Sequence, residues 1–425
     1  MTLDRKIAPQ LNPIAKPDFL CPDKFLLDNQ IPVYLLHAGT QEVCKLDIVF
    51  KSGIWYQQKP LLAAISNAML QEGTKNYTAS QIAEIFDFHG AYIQLNADYH
   101  FGTISIISLE KHLNKLLPIV EELIKDSIFP RSEFENLLKR RKQRFLLEME
   151  KVKILSQKKF SETLFGDNHP YNLNLKAEDF DEAELDDFIT FYRQFYHAGN
   201  CEIHLSGRFS NDLTRQLNRH FGSTDWGGSP IENLQKKIKS STEKLIRITK
   251  PDSIQSAIRL GRLLVPKNHS DYFGLQILTT VLGGYFSSRL MLNIREDKGY
   301  TYGIGAHFVS LNEAGYFIIA TEVDKTYEEA TLCEIHKELE ILRNELVSTP
   351  ELERVKQYLT SELLREFDGP FALSQAFRNL HDFNLDNSFY DAYYWAIQSI
   401  SAAELKRLAQ VYFQSEDLFT VIAGQ

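Results

Sequence analysis

The sequence carries the same pattern of segments twice, roughly 220 residues apart. SIFPRSEFENLLKR around Pro130 matches VSTPELERVKQYL around Pro350, and in both a proline opens an acid-led amphipathic helix. EAELDDFITFYRQFYHAGNCEIHLSG, ending at Gly207, matches SAAELKRLAQVYFQSEDLFTVIAG, ending at Gly424. Each of these reads as a helix, a short polar turn and an apolar strand closed by glycine. Two correspondences at nearly equal offset predict two copies of one fold.

Within each copy, half-polar strands alternate with one-sided helices. Residues 45–51 alternate apolar and charged side chains with period two, whereas residues 113–124 place leucine, isoleucine and valine at helical spacing. This combination predicts an α+β fold in which each repeat is an antiparallel sheet with helices packed mainly on one face. We expect an N-terminal repeat over residues 1–225, a Gly-, Ser- and Lys-rich linker over 226–244, and a C-terminal repeat over 245–425.

Composition narrows the class of protein. The 425 residues favour two domains, and 47 Lys and Arg against 56 Asp and Glu argue against a nucleic-acid binder. Four scattered cysteines without a C-x-x-C pair fit a reducing compartment. The N-terminal residues lack the continuous apolar region of a signal peptide, and no stretch approaches the ~20 apolar residues that span a bilayer. We therefore expect a cytoplasmic protein with no membrane partner.

The histidines do not form a recognisable zinc motif. A zinc-hydrolase helix needs two imidazoles about four residues apart on one face, with a nearby carboxylate as base. The closest pair here, His197 and His204, is separated by seven positions and spans a predicted helix-to-strand turn. We therefore predict no metal site in this chain and interpret the 12 histidines as surface or polar-core residues.

The segment FKSGIWYQQKPLLAAISNAMLQEGT, residues 50–74, runs strand, glycine-containing turn and apolar helix. It resembles the insulinase/pitrilysin family, which includes the mitochondrial processing peptidases and whose helix carries H-x-x-E-H followed by M-L-x-x-G-T. The M-L-x-x-G-T tail is present here at residues 69–74, and it places the zinc-ligand and base positions on Ala64, Asn67 and Ala68. The resemblance puts a third ligand near Glu148 and Glu150. Methyl groups and an amide cannot hold Zn²⁺ or deprotonate water, so this copy of the site is predicted to be inactive.

A second segment, LGGYFSSRLMLNIREDKGYTYGIGAHF at residues 282–308, is similar to the family's L-G-x-G-x-S-S-R-L…L-R-E-x-x-G-L-x-Y motif. By this resemblance Arg295 and Tyr302 would contact the substrate carbonyl and stabilise the tetrahedral intermediate, a role that suits guanidinium and phenol donors. The resemblance also implies a peptide-contacting loop with four matched residues: Gly283, Ser287, Ser288 and Arg289. The alternative is an Arg295 paired with a neighbouring acid on a helix and a Tyr302 that is simply a strand aromatic.

In the bacterial and organellar branches of this family, one chain often keeps the zinc motif while a similar chain keeps the Arg and Tyr. The resemblance therefore implies a noncatalytic subunit of a heterodimeric zinc endopeptidase, inactive alone. Two such chains would close as a clamshell around an unfolded peptide, with zinc bound by the homologous partner. The alternative is a peptide-binding or scaffold homodimer without peptidase activity. A serine nucleophile at Ser287 or Ser288 finds little support, since there is no G-x-S-x-G elbow.

Overall fold

The computed structural model describes residues 16–17, 19–172, 174–232 and 235–425. The prediction that the chain begins without a signal peptide falls largely on residues 1–15, which lie outside the described residues. No helix in the described ranges is long and apolar enough to cross a membrane.

The first repeat contains a six-stranded sheet in the order β1-β2-β6-β3-β5-β4. Its strands are β1 (Asp23–Leu26), β2 (Pro32–His37), β3 (Val43–Phe50), β4 (Tyr92–Ala97), β5 (Gly102–Leu109) and β6 (Cys201–Gly207). Its helices are α1 (Leu62–Met69), α2 (Ala79–Phe88), α3 (Glu110–Lys125), α4 (Arg131–Met149), α5 (Val152–Phe165), α6 (Leu185–Phe195) and α7 (Asn211–Phe221). The proline-opened helix of the sequence repeat is α4, and the helix–strand pair is α6 with β6.

The second repeat contains a five-stranded sheet in the order β7-β11-β8-β10-β9. Its strands are β7 (Leu245–Thr249), β8 (Gln255–Leu264), β9 (Ile304–Leu311), β10 (Ala314–Asp324) and β11 (Phe419–Gly424). Its helices are α8 (Tyr272–Thr279), α9 (Glu328–Asn344), α10 (Thr349–Arg365), α11 (Pro370–His381), α12 (Ser388–Ser399) and α13 (Ala402–Tyr412). The matching sequence segments form α10, and α13 with β11.

The strand order of the second sheet repeats that of the first once β1 is set aside, so the predicted α+β fold of two homologous repeats is confirmed. One detail of the prediction was wrong, because neither sheet is purely antiparallel. Strand β2 pairs with β6 in parallel, and β7 pairs with β11 in parallel. β6 and β11 are the last strands of their repeats. Each follows a helix and lies beside the first main strand of its repeat, β2 or β7, and this crossover connection gives parallel pairing.

The two repeats exchange one helix each. Helix α5 of the first repeat packs on β8 and β11 of the second sheet, and α11 of the second repeat packs on β2 and β6 of the first. Alternate residues of β10 therefore face different cores: Phe317 and Ile319 face the second repeat's own helices, and Ile318 faces the cluster that contains α5. Each repeat's own helices cover one face of its sheet, as predicted, and the exchanged helix covers part of the other face.

The predicted linker lies across the C-terminal end of α5. The Ser241 amide donates to the Thr163 carbonyl at 2.8 Å, and the Ser240 hydroxyl donates to the Leu164 carbonyl at 2.8 Å. Side chains of residues 235–240 are mostly exposed, while the backbone hydrogen bonds fix the path of the segment over the helix end.

Candidate functional site

Helix α1 carries the three positions at which the resemblance places the zinc ligands and the base, and none of them presents a ligand. Ala64 is half-buried at the edge of a cavity of about 380 Å³ that is also lined by His169 and Lys236. Ala68 packs against the first repeat's hydrophobic core. No group of three His, Cys, Asp or Glu side chains in the described ranges is arranged to hold a metal ion. The residues at these positions do not fit a zinc ion, since two aliphatic side chains offer it no donor atom.

Asn67, at the position of the catalytic base, is committed to a structural hydrogen bond. Its side chain is 1% exposed, and its Nδ2 donates to the Tyr196 hydroxyl at 3.1 Å. That hydroxyl also bonds Ser52, and burial raises the pKa of Tyr196 to about 12. The amide therefore joins α1 to the end of α6 in a dry environment. It has neither the basicity nor the solvent access that activation of a water requires.

The two carboxylates in the predicted third-ligand region are engaged elsewhere. Glu148 accepts a hydrogen bond from Arg144 Nε at 3.2 Å, one turn back along α4. Glu150, just beyond the end of α4, forms an ion pair with Lys250, so it links the first repeat to the second. Both carboxylates are partly or largely exposed in these pairs.

The Arg295 and Tyr302 segment is the most exposed part of the predicted site. Arg295 lies in a wide, π-type helical turn at Met291–Asp297, and its guanidinium sits 4.7 Å from the Phe286 ring centroid. Its nearest carboxylate is that of Glu296, at 3.8 Å. Gly299 then adopts φ +68°, a left-handed conformation that favours glycine, and turns the chain toward β9. The Tyr302 side chain is 96% exposed.

The described residues show no hydrogen bond that joins Arg295 to Tyr302. Tyr302 is fully accessible, whereas Arg295 is partly sheltered by the 62%-exposed Phe286 ring. In the alternative interpretation, Arg295 pairs with a neighbouring acid. Glu296 is such an acid, but a partly exposed ion pair at 3.8 Å contributes little to stability.

The four predicted peptide-contacting residues are not equally available. Ser287 is exposed, whereas Ser288 is 1% exposed and its hydroxyl has no hydrogen-bond partner among the described residues. Arg289 forms a two-pronged ion pair with Glu351 at the start of α10, at 2.8 and 3.0 Å. Gly283 is buried against β9. Substrate contact stays a prediction for all four, and the geometry makes Ser287 the most accessible of them.

Comparison with known proteins places these observations in a family. The model of the peptidase M16 inactive domain matches residues 182–359. Over 334 residues the chain is 25% identical to a Bacillus subtilis protein named "Uncharacterized zinc protease YmxG", covering 75% of this chain and 79% of that one. It is 22% identical over 377 residues to "Non-peptidase homolog YmxG" of Helicobacter pylori, covering 86% and 84%. The chain is thus similar to peptidase M16 proteins over most of its length.

The fold is also shared with solved structures. The crystal structure of a peptidase M16 inactive domain from Pseudomonas fluorescens superposes with a TM-score of 0.85 at 22% identity, covering 95% of this chain and 98% of that one. The family resemblance read from residues 50–74 and 282–308 is thus confirmed. The matched family model is that of an inactive domain and one relative is named a non-peptidase homologue, which agrees with the alanine, asparagine and alanine on α1.

Gly283, which matches a glycine of the M16 motif, also has a role in packing that the motif alone does not indicate. A Cβ at Gly283 would lie 2.6 Å from both the Ala306 backbone nitrogen and the Ala306 Cβ on β9. We expect Gly283→Ala to lower the free energy of unfolding by about 1–3 kcal/mol, since strand backbone must shift to admit the methyl group. Urea unfolding measures this. Gly303→Ala is the matched control, because nothing lies within 4 Å of that Cβ and we expect a change below about 0.5 kcal/mol. Equal stability of both variants would contradict the packing role.

Sequence reasoning missed a polar cluster where α11 crosses the first sheet of this chain. The Glu202 carboxylate lies 3.1 Å from His204 Nε2 and 3.0 Å from His381 Nε2, which joins β6 to the exchanged helix. The Tyr34 ring stacks on His204 at 5.0 Å. Hydrogen bonding to Glu202 raises the pKa of His381, and burial raises the pKa of Asp382, next to it, to about 7. The signal available in the sequence was a histidine and a glutamate at alternate positions of an otherwise apolar strand.

Asp382 should make stability depend on pH. Its folded pKa of about 7 lies above the unfolded value of ~3.9, so the wild type loses stability as pH rises from about 4 to 7. Asp382→Asn removes that loss, and we expect its advantage over the wild type to grow with pH up to about 7 and then stay constant. Urea unfolding at pH 5, 6, 7 and 8 measures the difference. Asp386→Asn is the control, because hydrogen bonds from Ser388 lower the pKa of Asp386, so this group is ionised in both states from pH 5 to 8 and its effect should not change with pH. An Asp382→Asn advantage that does not change with pH would contradict this account.

Proposed function

We propose that this chain is the noncatalytic subunit of a cytoplasmic, heterodimeric M16 zinc endopeptidase, and that it supplies Arg295 and Tyr302 to the zinc site of a homologous partner. The observation that carries the proposal is the contrast between the two halves of the motif. Asn67 on α1 is buried in a structural hydrogen bond, whereas the Tyr302 phenol is almost wholly exposed. An exposed phenol can donate to a developing oxyanion that another chain's zinc site generates, and the guanidinium in the same segment can add a second donor.

The surface around the pair supports a role at an interface. Phe286 and Leu292 are 62% and 43% exposed, and both lie in the segment that carries Arg295. Exposed aromatic and arginine side chains are enriched at protein interfaces, where burial by a partner strengthens their interactions. Zinc would be held by the partner's imidazoles and carboxylate, and this chain would contribute only hydrogen-bond donors and part of the wall that encloses an unfolded peptide.

A cytoplasmic location fits the cysteines. Cys21 and Cys333 are exposed and free, Cys44 and Cys201 are buried and free, and burial raises the pKa of Cys44 to about 12. None of the four forms a disulfide, as expected where thiols stay reduced.

Reconstitution tests the proposal. The purified chain should not cleave a quenched-fluorescence peptide, and neither should an H-x-x-E-H-bearing M16 partner from the same organism when assayed alone. Their mixture should cleave it. Size-exclusion chromatography of the mixture should show a complex of one chain of each kind. Full activity of the partner alone, unchanged by this chain, would contradict the proposal.

The second candidate is a peptide-binding or scaffold homodimer without peptidase activity. The same fold occurs in a chain of "Complex III2 from Candida albicans, Inz-5 bound", with a TM-score of 0.75 at 13% identity, so the architecture also occurs in a protein complex. A stable dimer of this chain that does not exchange with the zinc-bearing partner would favour this candidate.

A further inference from the structure

A cavity of about 330 Å³ opens beside Tyr302, between the exchanged helix α5 and the second sheet. Its lining includes Ser156 from α5, Arg259 from β8, and Thr321 and Glu322 from β10. The cavity is therefore built by both repeats and lies next to the residue that we place at the partner's zinc site.

Arg259 is an unusual residue for the middle of a sheet. It lies opposite Ala320 of β10 and Val421 of β11, and its side chain is 8% exposed. Its Nε donates to the Ser156 hydroxyl at 3.1 Å, and one terminal nitrogen donates to the Lys153 carbonyl at 3.3 Å. Both acceptors are neutral. Among the described residues, Arg259 forms no ion pair within 4.0 Å.

The charges around the cavity leave Arg259 without a counterion. Lys153 and Glu322 lie 3.5 Å apart at the rim and largely neutralise each other, so the lining carries one net positive charge. Burial lowers the pKa of Arg259, and the more distant Glu322 offsets only part of that effect. A buried guanidinium with N–H donors to spare is stabilised when an anion supplies the missing charge, and the planar fork fits a carboxylate best.

We propose that this cavity is a carboxylate subsite for the peptide substrate, with Arg259 as its recognition residue. The carboxylate belongs either to a Glu or Asp side chain of the peptide or to the peptide's C-terminus. The inference rests on the proposed function for the peptide nature of the ligand, and it adds a specificity: peptides that carry a negative charge near the bond presented at Tyr302 bind most tightly. With a net charge of −9, the chain as a whole repels anions, so any preference for a carboxylate must come from a local site.

Fluorescence anisotropy of the isolated chain with three labelled decapeptides of Ala, Ser and Tyr tests the subsite. One peptide carries a central Glu and an amidated C-terminus, the second carries Gln in its place, and the third carries Gln and a free C-terminus. We expect the Glu peptide or the free-acid peptide to bind about tenfold more tightly than the uncharged one, and the peptide that gains identifies the source of the carboxylate. Equal affinities for all three, or binding of none, would overturn the proposal.

Two variants assign the preference to Arg259. Arg259→Gln should abolish it, whereas Arg262→Gln should keep it, because Arg262 lies on the same strand but bonds Asp417 and the Tyr412 carbonyl. Should Arg259→Gln fail to fold, Glu322→Gln replaces it as the test, since removal of the rim carboxylate should tighten binding of the carboxylate peptide severalfold and leave the uncharged peptide unchanged. A folded Arg259→Gln that keeps the preference, or a Glu322→Gln without effect, would overturn the assignment. These measurements need neither zinc nor the partner, so their failure is distinguishable from failure of reconstitution.

Discussion

In the mixed enzyme, Tyr302→Phe in this chain should lower kcat/KM by about two to three orders of magnitude. The substitution keeps the ring and removes the hydroxyl, and loss of one donor to a developing oxyanion typically has an effect of about that size. Arg295→Ala should lower the rate at least as much, because the guanidinium offers several donors and a charge. A peptidase assay of the reconstituted pair measures both.

Neighbouring residues supply the controls for these variants. Tyr300→Phe removes a hydroxyl two positions away, where the ring stacks on Tyr327 at 4.6 Å, and should leave the rate within about twofold. Lys298→Ala removes a positive charge from the same turn, where Lys298 pairs with Asp297 at 3.1 Å, and should also leave the rate nearly unchanged. A mixed enzyme that keeps full activity with Tyr302→Phe and Arg295→Ala would show that this chain contributes no donors to the reaction.

The second large effect is expected at Asn67, where glutamate would restore the family's base. Asn67→Glu should lower the free energy of unfolding at pH 8 by about 3–5 kcal/mol, since the side chain is 1% exposed and no cation balances the charge. Burial would raise the pKa of the introduced glutamate by several units above ~4.3. The cost should therefore be smaller at pH 5, where the folded group is protonated and the pH is only slightly above the unfolded pKa, and should grow as pH rises toward the folded pKa.

Asn67→Gln is the matched control, because it has the same shape as the glutamate without its charge. The difference between the two variants in urea unfolding at pH 5 and pH 8 isolates the charge. Ala64→Glu offers a second comparison, since residue 64 borders a cavity and its carboxylate could remain hydrated. If Asn67→Glu were as stable as Asn67→Gln at pH 8, the position would still accommodate a catalytic carboxylate, and the description of this site as structurally closed would be wrong.

The sequence was sufficient to predict the two repeats, because segments such as those at Pro130 and Pro350 carry their helix signals locally. It did not predict the helix exchange. Helix α5 has no clear one-sided apolar pattern, and the sheet that covers it is nearly 100 residues further along the chain, so nothing local indicates where the helix packs. For the same reason, Asp47 on β3 read as solvent-facing. It is 2% exposed and pairs with Lys45 at 2.8 Å and with the Ser105 hydroxyl.

Some features of the candidate site could likewise be predicted from the sequence, and others could not. The loss of zinc ligands at Ala64, Asn67 and Ala68 could be read from residue types alone, since no packing can turn a methyl group into a metal ligand. The ion pair between Arg289 and Glu351 could not be predicted from the sequence, because the two residues are 62 positions apart and meet only through the packing of α10. Arg259 was overlooked because AIRLGRLL contains two arginines, and only the structure shows that Arg259 lacks a counterion whereas Arg262 bonds Asp417.

Metal analysis of the purified complex and of its separated chains tests the central claim most directly. The account predicts one zinc per complex, all of it with the partner after separation, and none in this chain even after incubation with excess zinc and dialysis. A stoichiometric zinc ion retained by this chain alone, accompanied by peptidase activity, would contradict the account.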